Sequence, residues 1–531
     1  MSFDLSAFDV AIILGSLLIV VTVGLLASRR RDETASQYFL ASGRLPWWII
    51  GAAFVSTSVS SEQIVGTVGQ AYASGMGIAN WEWWSLPPYA ILIAVFIPIY
   101  LKNRITTVPE LLSRRFSPGC GNIYSYVMLV AYVLVFLVPV LYGGALTFSR
   151  LTGFNFYIIL WCTTLLVALY TVKGGLISVM WTDAVQCVML LGGGIILYFM
   201  AIREIPGGWG AMMEASPERF HLYHPPSDPI APFAGLVAGT LGLFIFYQAT
   251  NQVMVQRVLG ARSVWDGILG IIFAGFINFF RPLVTCFLGF IVWHWIHVMN
   301  QAPELASQDH TFPFALKIFA PEWGLRGIIL AGFLAAVMST ISALANSTAT
   351  IFSLDVYKKH IDKDASDKRL VLVGRVASFV ALIIATLMAP VLTEITIFKY
   401  FQQGVTYLAT PFVPVIILGL LWKRTTTQGA YAGLLGGIAI QALVVYADYV
   451  LGWKLHWLYL GSIAEAITFV LVIVVSLMTP APPREVWEPF LWRPSMLRQL
   501  TEDPLRPWYK SLRLWFAVYA GIFIYLYWRF W

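Results

Sequence analysis

The stretch Ser56–Gln63, STSVSSEQ, lies inside WWIIGAAFVSTSVSSEQIVGTVGQAY, residues Trp47–Tyr72. Its flanks are apolar enough for a helix that crosses a bilayer, for which roughly 20 residues suffice. Its middle nevertheless carries five hydroxyls, a carboxyl and an amide. Such groups are costly in hydrocarbon unless they pair with one another, line a wet cavity or bind something. What compensates them decides how the whole chain is read.

Composition settles the solvent. Of 531 residues, 59% are hydrophobic and only 11% charged, and the mean hydropathy is +0.75. No soluble core could hide that apolar fraction, so the fold class is an all-α polytopic membrane protein. Apolar runs suggest about fourteen spans, near 8–28, 47–73, 79–101, 122–147, 154–172, 176–202, 233–255, 265–297, 324–352, 369–392, 396–421, 428–449, 456–478 and 511–530. The N-terminal MSFDLSAFDV lacks the basic region of a signal peptide, so the first run is kept as a helix. Cys120, Cys162, Cys187 and Cys286 fit neither a disulfide framework nor a zinc site and read as packing residues.

The net charge of +7 reads as orientation rather than as a nucleic-acid partner. Arg29–Arg31, Arg104, Arg114, Arg115, Lys173, Arg257, Lys358, Lys359 and the bases between Arg484 and Arg513 fall in alternate loops, which are then cytoplasmic. Both termini are expected outside, in a cell membrane and specifically a bacterial inner membrane. The seven histidines fall in or near loops and read as solvated.

A second interrupted run, GLVAGTLGLFIFYQATNQVMVQR from Gly235 to Arg257, lies five spans after the first. An odd separation reverses orientation. Two broken helices at matching places in inverted halves point to a secondary transporter with a midplane site. From the first segment alone, close helix packing by small residues is the better explanation of the hydroxyls. A matching cluster, Ser339, Thr340 and Ser342 in AAVMSTISALANSTAT, shifts the balance. Its hydroxyls, with carbonyls from the first interruption, could supply the hard oxygens a small alkali cation needs.

Glu62, Gln63, Glu82, Ser85 and Gln402 form a second set, whose carboxylates and amides can bind several hydroxyls of a polyol. Trp81, Phe244, Tyr247 and Phe398 are aromatics suited to the apolar face of a sugar ring, although Trp84 also suits an interfacial belt. Asp183, in WTDAVQ, either tunes an ion path or caps its helix. Arg281, in NFFRPLV, must find a carboxylate, a carbonyl or a water-filled cavity, or else snorkel, and either a structural pair or a clamp for an anionic solute fits it. Glu62 has no evident partner. No P-loop, metal-ligand spacing or nucleophile constellation marks an enzyme.

At these residues the chain resembles the sodium/solute symporter family, in its sodium/sugar branch. GLLWKRTTTQGAYAGLLGGI, Gly419–Ile438, is similar to the family's C-terminal signature, and SEQIVG, YTVKGGL with WTDAVQ, NQVMVQR and NSTATIFSLDVYKK resemble further family blocks. The PWYKSLRLWF segment is similar to sugar-branch members. The resemblance implies a LeuT-like fold: an extra helix in 1–46, inverted repeats at 47–204 and 233–422, an outer loop at 205–232, and three further helices in 423–531 with a linker at 479–510. It implies a sodium site of the Ser56, Val59 and Ala336 carbonyls with the Ser339 and Thr340 hydroxyls, with Asp183 linked to coupling. Where some members bind a second sodium, this chain keeps Ser342 but has Ala343. Gln63, Glu82, Ser85 and Gln402 match sugar contacts and Tyr247 an inner gate. Phe244 and Asn278 stand where sugar-binding members have a polar residue and a lysine, and Arg281 is a further departure. The expected function is sodium-driven import of a sugar or polyol by alternating access, with Na+ as coupling ion and no other cofactor. The alternatives are uptake of an organic anion, acidic sugar or amino-acid derivative, and a solute sensor with vestigial transport.

Overall fold

The structure, a computed structural model, describes residues 5–29, 34–321, 324–392, 397–501 and 507–531, with the backbone alone for residues 62, 397–400 and 498–501. The side chains of Glu62 and Phe398, both singled out from the sequence, lie outside that description.

The described residues are helical almost throughout. The principal helices are α1 (Ala7–Ala27), α2 (Trp47–Thr57), α3 (Ser61–Ser74), α4 (Met76–Lys102), α5 (Pro118–Thr152), α6 (Phe156–Arg203), α7 (Phe233–Ala238), α8 (Gln252–Leu259), α9 (Val264–His297), α10 (Leu325–Ile361), α11 (Asp367–Val391), α12 (Ile397–Leu421), α13 (Thr427–Leu451), α14 (Trp457–Met478) and α15 (Leu512–Phe530). Among the described residues, ten helices are long and apolar enough to cross a membrane. Two expected spans, 154–172 and 176–202, run together in α6, where Gly175 turns the chain at φ +58°. A Cβ there would sit 2.5 Å from the Tyr38 carbonyl oxygen, so only glycine fits the bend.

The sequence run 47–73 breaks where its hydroxyls predict. The Ser58 hydroxyl bonds the Val55 carbonyl, competing with the helix, and Ser60 is extended before α3 begins. The second interruption is longer: Thr240–Phe244 and Phe246–Thr250 wind as π-helix and Asn251 is extended. Backbone groups freed at membrane depth must find partners inside the protein. Tyr100, Tyr124 and Tyr132 provide them, donating to the Ala249 carbonyl, the Thr250 carbonyl and the Asn251 side chain at 2.6–2.7 Å. Asn251 in turn caps α8.

Helix α10 is almost wholly buried from Arg326 to Ile351 and packs against α6, while α2 packs against α9. Helices α1 and α13 are largely exposed, presenting Leu14, Leu18, Leu443 and Val450 outward as a lipid-facing shell would. Several loop expectations are corrected. Arg257 is not a loop base but a fully buried residue of α8. His224 and His294 are buried rather than solvated. Trp84 is half-buried, donates to the Thr240 hydroxyl and packs against Phe233, Phe523 and Tyr527, so it is no simple belt residue.

Candidate functional site

Where α2 ends, three carbonyls converge on one hydroxyl. Thr340 Oγ1 lies 3.1 Å from the Thr57 carbonyl oxygen, 3.5 Å from that of Val59 and 3.3 Å from that of Ala336. Hard neutral oxygens at the negative end of a helix suit a small monovalent cation held weakly enough to be released. Of the expected ion residues, Val59, Ala336 and Thr340 are thus brought together. The Ser56 carbonyl instead accepts from the Val59 N–H at 3.4 Å, while its buried hydroxyl has no hydrogen-bond partner among the described residues. Thr57 was not anticipated, because a sequence does not say which carbonyl of a broken turn faces the gap.

Ser339 turns to a carboxylate, its hydroxyl donating to Asp183 Oδ1 at 2.7 Å. Asp183 Oδ2 also accepts from Thr57 Oγ1 and pairs with Arg257 Nη2, both at 3.2 Å, and Arg257 Nε donates to Thr57 Oγ1 at 2.9 Å. All four side chains are buried. Asp183 sits eight residues beyond the Gly175 bend, which overturns its reading as a helix cap. It ties α6 to the broken α2, to α8 and to α10. Ser342 donates to the Ser339 carbonyl of its own helix at 2.9 Å.

A separate, narrow cavity of about 70 Å³ opens beside these elements. That is well below the roughly 300–1,000 Å³ usual for small-molecule sites, so a ring-sized solute fits only if the walls move apart. Its polar lining is Ser58, Gln63, Gln248, Arg281 and Gln402; its apolar lining includes Phe54, Trp81, Phe244, Tyr247 and Phe401. Trp81 faces Phe244 at 5.9 Å between ring centroids and stacks on Trp457 at 5.8 Å.

Glu82 does not line the cavity but holds the wall from behind. Its Oε2 pairs with Arg281 Nη2 at 2.7 Å, and its Oε1 accepts from Gln63 Nε2 at 3.2 Å and Thr285 Oγ1 at 3.1 Å. Arg281 Nη1 donates to Asn278, and Asn278 donates to the Tyr89 hydroxyl. Asn278 is therefore a support of Arg281, not part of the lining. Ser85, expected to meet solute, shares a 2.8 Å hydrogen bond with the Tyr519 hydroxyl of α15 instead. Gln248, on the cavity wall, was missed, although its buried Oε1 has no hydrogen-bond partner among the described residues. The only sequence signal for it was its place beside Tyr247.

A profile described as the sodium:solute symporter family matches residues 38–437. The chain belongs to that family. Sodium:solute symporters are transport proteins rather than enzymes, with Na+ as the coupling ion. This family member is 33% identical to the sodium/glucose cotransporter of Vibrio parahaemolyticus over 90% of its own length and 91% of that protein's. It is 29% identical to the sodium/myo-inositol cotransporter of Homo sapiens, over 91% of this chain and 74% of that one. Among solved structures, it is similar to a Na+-coupled sialic acid symporter in a substrate-bound outward-open state, with TM-score 0.79, 21% identity, and 90% and 99% of the two chains covered. That likeness places the symporter in the LeuT-like fold.

Proposed function

We propose that this symporter couples inward sodium flow to uptake of a small neutral solute bearing several hydroxyls, a sugar or cyclic polyol, by alternating access. The observation that carries the neutral reading is the Arg281–Glu82 pair. The guanidinium that could clamp an anion already has one terminal nitrogen on Glu82 and the other on Asn278, leaving the cavity without a free charge on that side. Its Nε, which has no partner among the described residues, is left as a donor. With the amides of Gln63, Gln248 and Gln402 it offers both donors and acceptors to hydroxyls, while Trp81, Phe244 and Tyr247 offer faces to a ring. The relatives named for glucose and myo-inositol support the same class.

In this reading Na+ binds among the carbonyls of Thr57, Val59 and Ala336 and the hydroxyls of Ser339 and Thr340, with Asp183 as the nearby countercharge. Sodium couples transport only by favouring one arrangement of the broken helices over the other. The solute completes the site on Gln63, Gln402 and Tyr247, and rocking of the two halves releases both inward. Residues 47–204 and 233–422 form the inverted repeats, α6 supplies two of fourteen crossings, and both termini lie outside a bacterial inner membrane.

Uptake into proteoliposomes of labelled glucose, myo-inositol and an acidic hexose derivative, with and without an inward sodium gradient, tests this. Sodium-driven accumulation of a neutral compound is expected. Dominant uptake of the acidic compound, lost in Arg281→Gln, would establish the anion reading instead.

A further inference from the structure

Glu465 is the ninth residue of α14, 4% exposed, and nothing in the transport scheme above uses it. Its Oε1 is fully enclosed without a hydrogen-bond partner, and no ion pair reaches the carboxyl among the described residues. The helix register gives it company of a particular kind. Gly461, one turn earlier, touches Thr406 of α12, which puts Glu465 level with Thr410. Thr410 donates to Gln441 Oε1 of α13 at 2.6 Å, and Gln441 Nε2 is likewise buried without a partner.

On its other side the carboxyl presses on the interrupted helix. A Cβ at Gly242 would stand 2.2 Å from Glu465 Oε2, so this oxygen lies directly on the Gly242 backbone. Gly242 belongs to the π-helical turn Thr240–Phe244, and the next two residues, Leu243 and Phe244, form cavity wall. A charge change at Glu465 therefore acts one residue from the solute cavity.

Among the described residues no neighbouring charge compensates it. The stretch 233–246 has no titratable side chain, and Tyr247 faces the cavity. On α12, Tyr407 lines an outer cleft, and Lys399 and Tyr400 lie ten or more residues before Thr410, about 15 Å along the axis. On α13, Asp448 and Tyr449 line the outer cleft, Tyr446 is exposed, and Tyr431 bonds Ser117. On α14 itself, Tyr459 and the capping His456 line that same cleft.

We propose that Glu465 is a proton-binding site coupled to the solute cavity. As the neutral acid it fits this packing and can donate to a neighbouring oxygen; as a carboxylate it would lose its hydration with no donor in return. The proton therefore binds preferentially to the arrangement in this structure, and loss of the proton favours one in which the 240–250 segment moves away and water enters. By linkage, whatever stabilises this arrangement promotes proton uptake, and a rise in pH weakens it.

The test is infrared difference spectroscopy of the protein in liposomes, titrated between about pH 5 and 9, with and without sodium chloride. This arm needs no solute. It is paired with the proteoliposome uptake assay, which rests on the symport reading. A protonated-carboxyl band that titrates in the wild type and is lost in Glu465→Gln is expected, as is uptake whose pH dependence the same variant abolishes while sodium dependence persists. Glu465→Leu serves if the glutamine variant does not fold. Unchanged bands in both variants, or an unchanged pH profile of uptake, would overturn the proposal. Absence of sodium-driven uptake in the wild type, with the band present, would instead count against the symport reading alone.

Discussion

Arg281 Nη2 and Glu82 Oε2 stand 2.7 Å apart, a guanidinium on the cavity wall and a carboxylate behind it, both almost wholly inaccessible to water. Each charge at this depth is tolerable because of the other. Removing one partner from a buried pair costs about 3–5 kcal/mol, whereas replacing both by neutral groups of similar size is far cheaper. Arg281→Gln and Glu82→Gln are each expected to lower the thermal unfolding temperature in detergent and to abolish most uptake. The double variant should recover much of the stability without recovering solute affinity. A double variant no more stable than the worse single one would show that the two charges are not coupled.

Three carbonyls and the Thr340 hydroxyl make the proposed ion cluster, with the Ser339 hydroxyl bridging to Asp183. Loss of one buried hydroxyl from such a set is worth about 1–3 kcal/mol. Thr340→Ala is therefore expected to raise the sodium concentration for half-maximal uptake by roughly tenfold or more, and Thr340→Ser to restore it. Ser339→Ala should act in the same direction. Ser342→Ala should leave sodium dependence nearly unchanged, because that hydroxyl closes on the Ser339 carbonyl. Unchanged sodium dependence in the Ser339→Ala, Thr340→Ala double variant would remove these residues from the ion site.

Much of this arrangement was legible in the sequence, for a physical reason. Hydroxyls and amides inside apolar runs are rare, so Ser56–Gln63, Tyr247–Gln252 and Ser339–Ser342 announced where helices break and meet. That Arg281 needed some partner was equally plain, but whether a carboxylate, a carbonyl or water was not: Glu82 lies 199 positions away in sequence, and only the packing of α4 on α9 joins them. Arg257 was misread because a base between apolar runs looks like a loop residue; its buried partner Asp183 belongs to another helix. Ser85 was assigned to solute because nothing local points to Tyr519, 434 residues downstream. Glu465 escaped notice in a run whose other residues read as an ordinary span.

In the loop between α6 and α7, Asp228 Oδ1 accepts from the Ile230 and Ala231 N–H groups at 2.8 and 2.7 Å, and Oδ2 faces His224 Nδ1 at 3.0 Å. Burial pushes this carboxyl up, but the two N–H groups and His224 outweigh it and hold it below the usual carboxylate range. A depressed native value means the charged form stabilises the fold: the contribution is complete above the unfolded value of about 3.9 and is lost as pH falls through the native one. Hydrogen exchange of residues 224–231, corrected for intrinsic amide rates, should thus be flat from about pH 5 to 8 and rise only in stronger acid. Asp228→Asn should exchange faster at neutral pH and lose the acid-dependent step.

Gly289, in α9 after the bend at Cys286, sits against the backbone of α3. A Cβ there would lie 2.3 Å from the Val68 carbonyl oxygen and 2.6 Å from the Tyr72 nitrogen. Backbone cannot yield as a flexible side chain does, so Gly289→Ala must push the two helices apart, at a cost of about 1–3 kcal/mol. Those same helices carry Arg281 and Gln63, both tied to Glu82, so uptake should fall along with stability. Gly192 of α6 provides the control, since nothing lies within 4 Å of the Cβ it would gain. There the intrinsic preference of a helix for alanine, up to about 1 kcal/mol, acts unopposed. Gly192→Ala is expected to be neutral or slightly stabilising with normal uptake. Equal effects of the two substitutions on thermal stability would mean that close approach of α3 and α9 does not require the glycine.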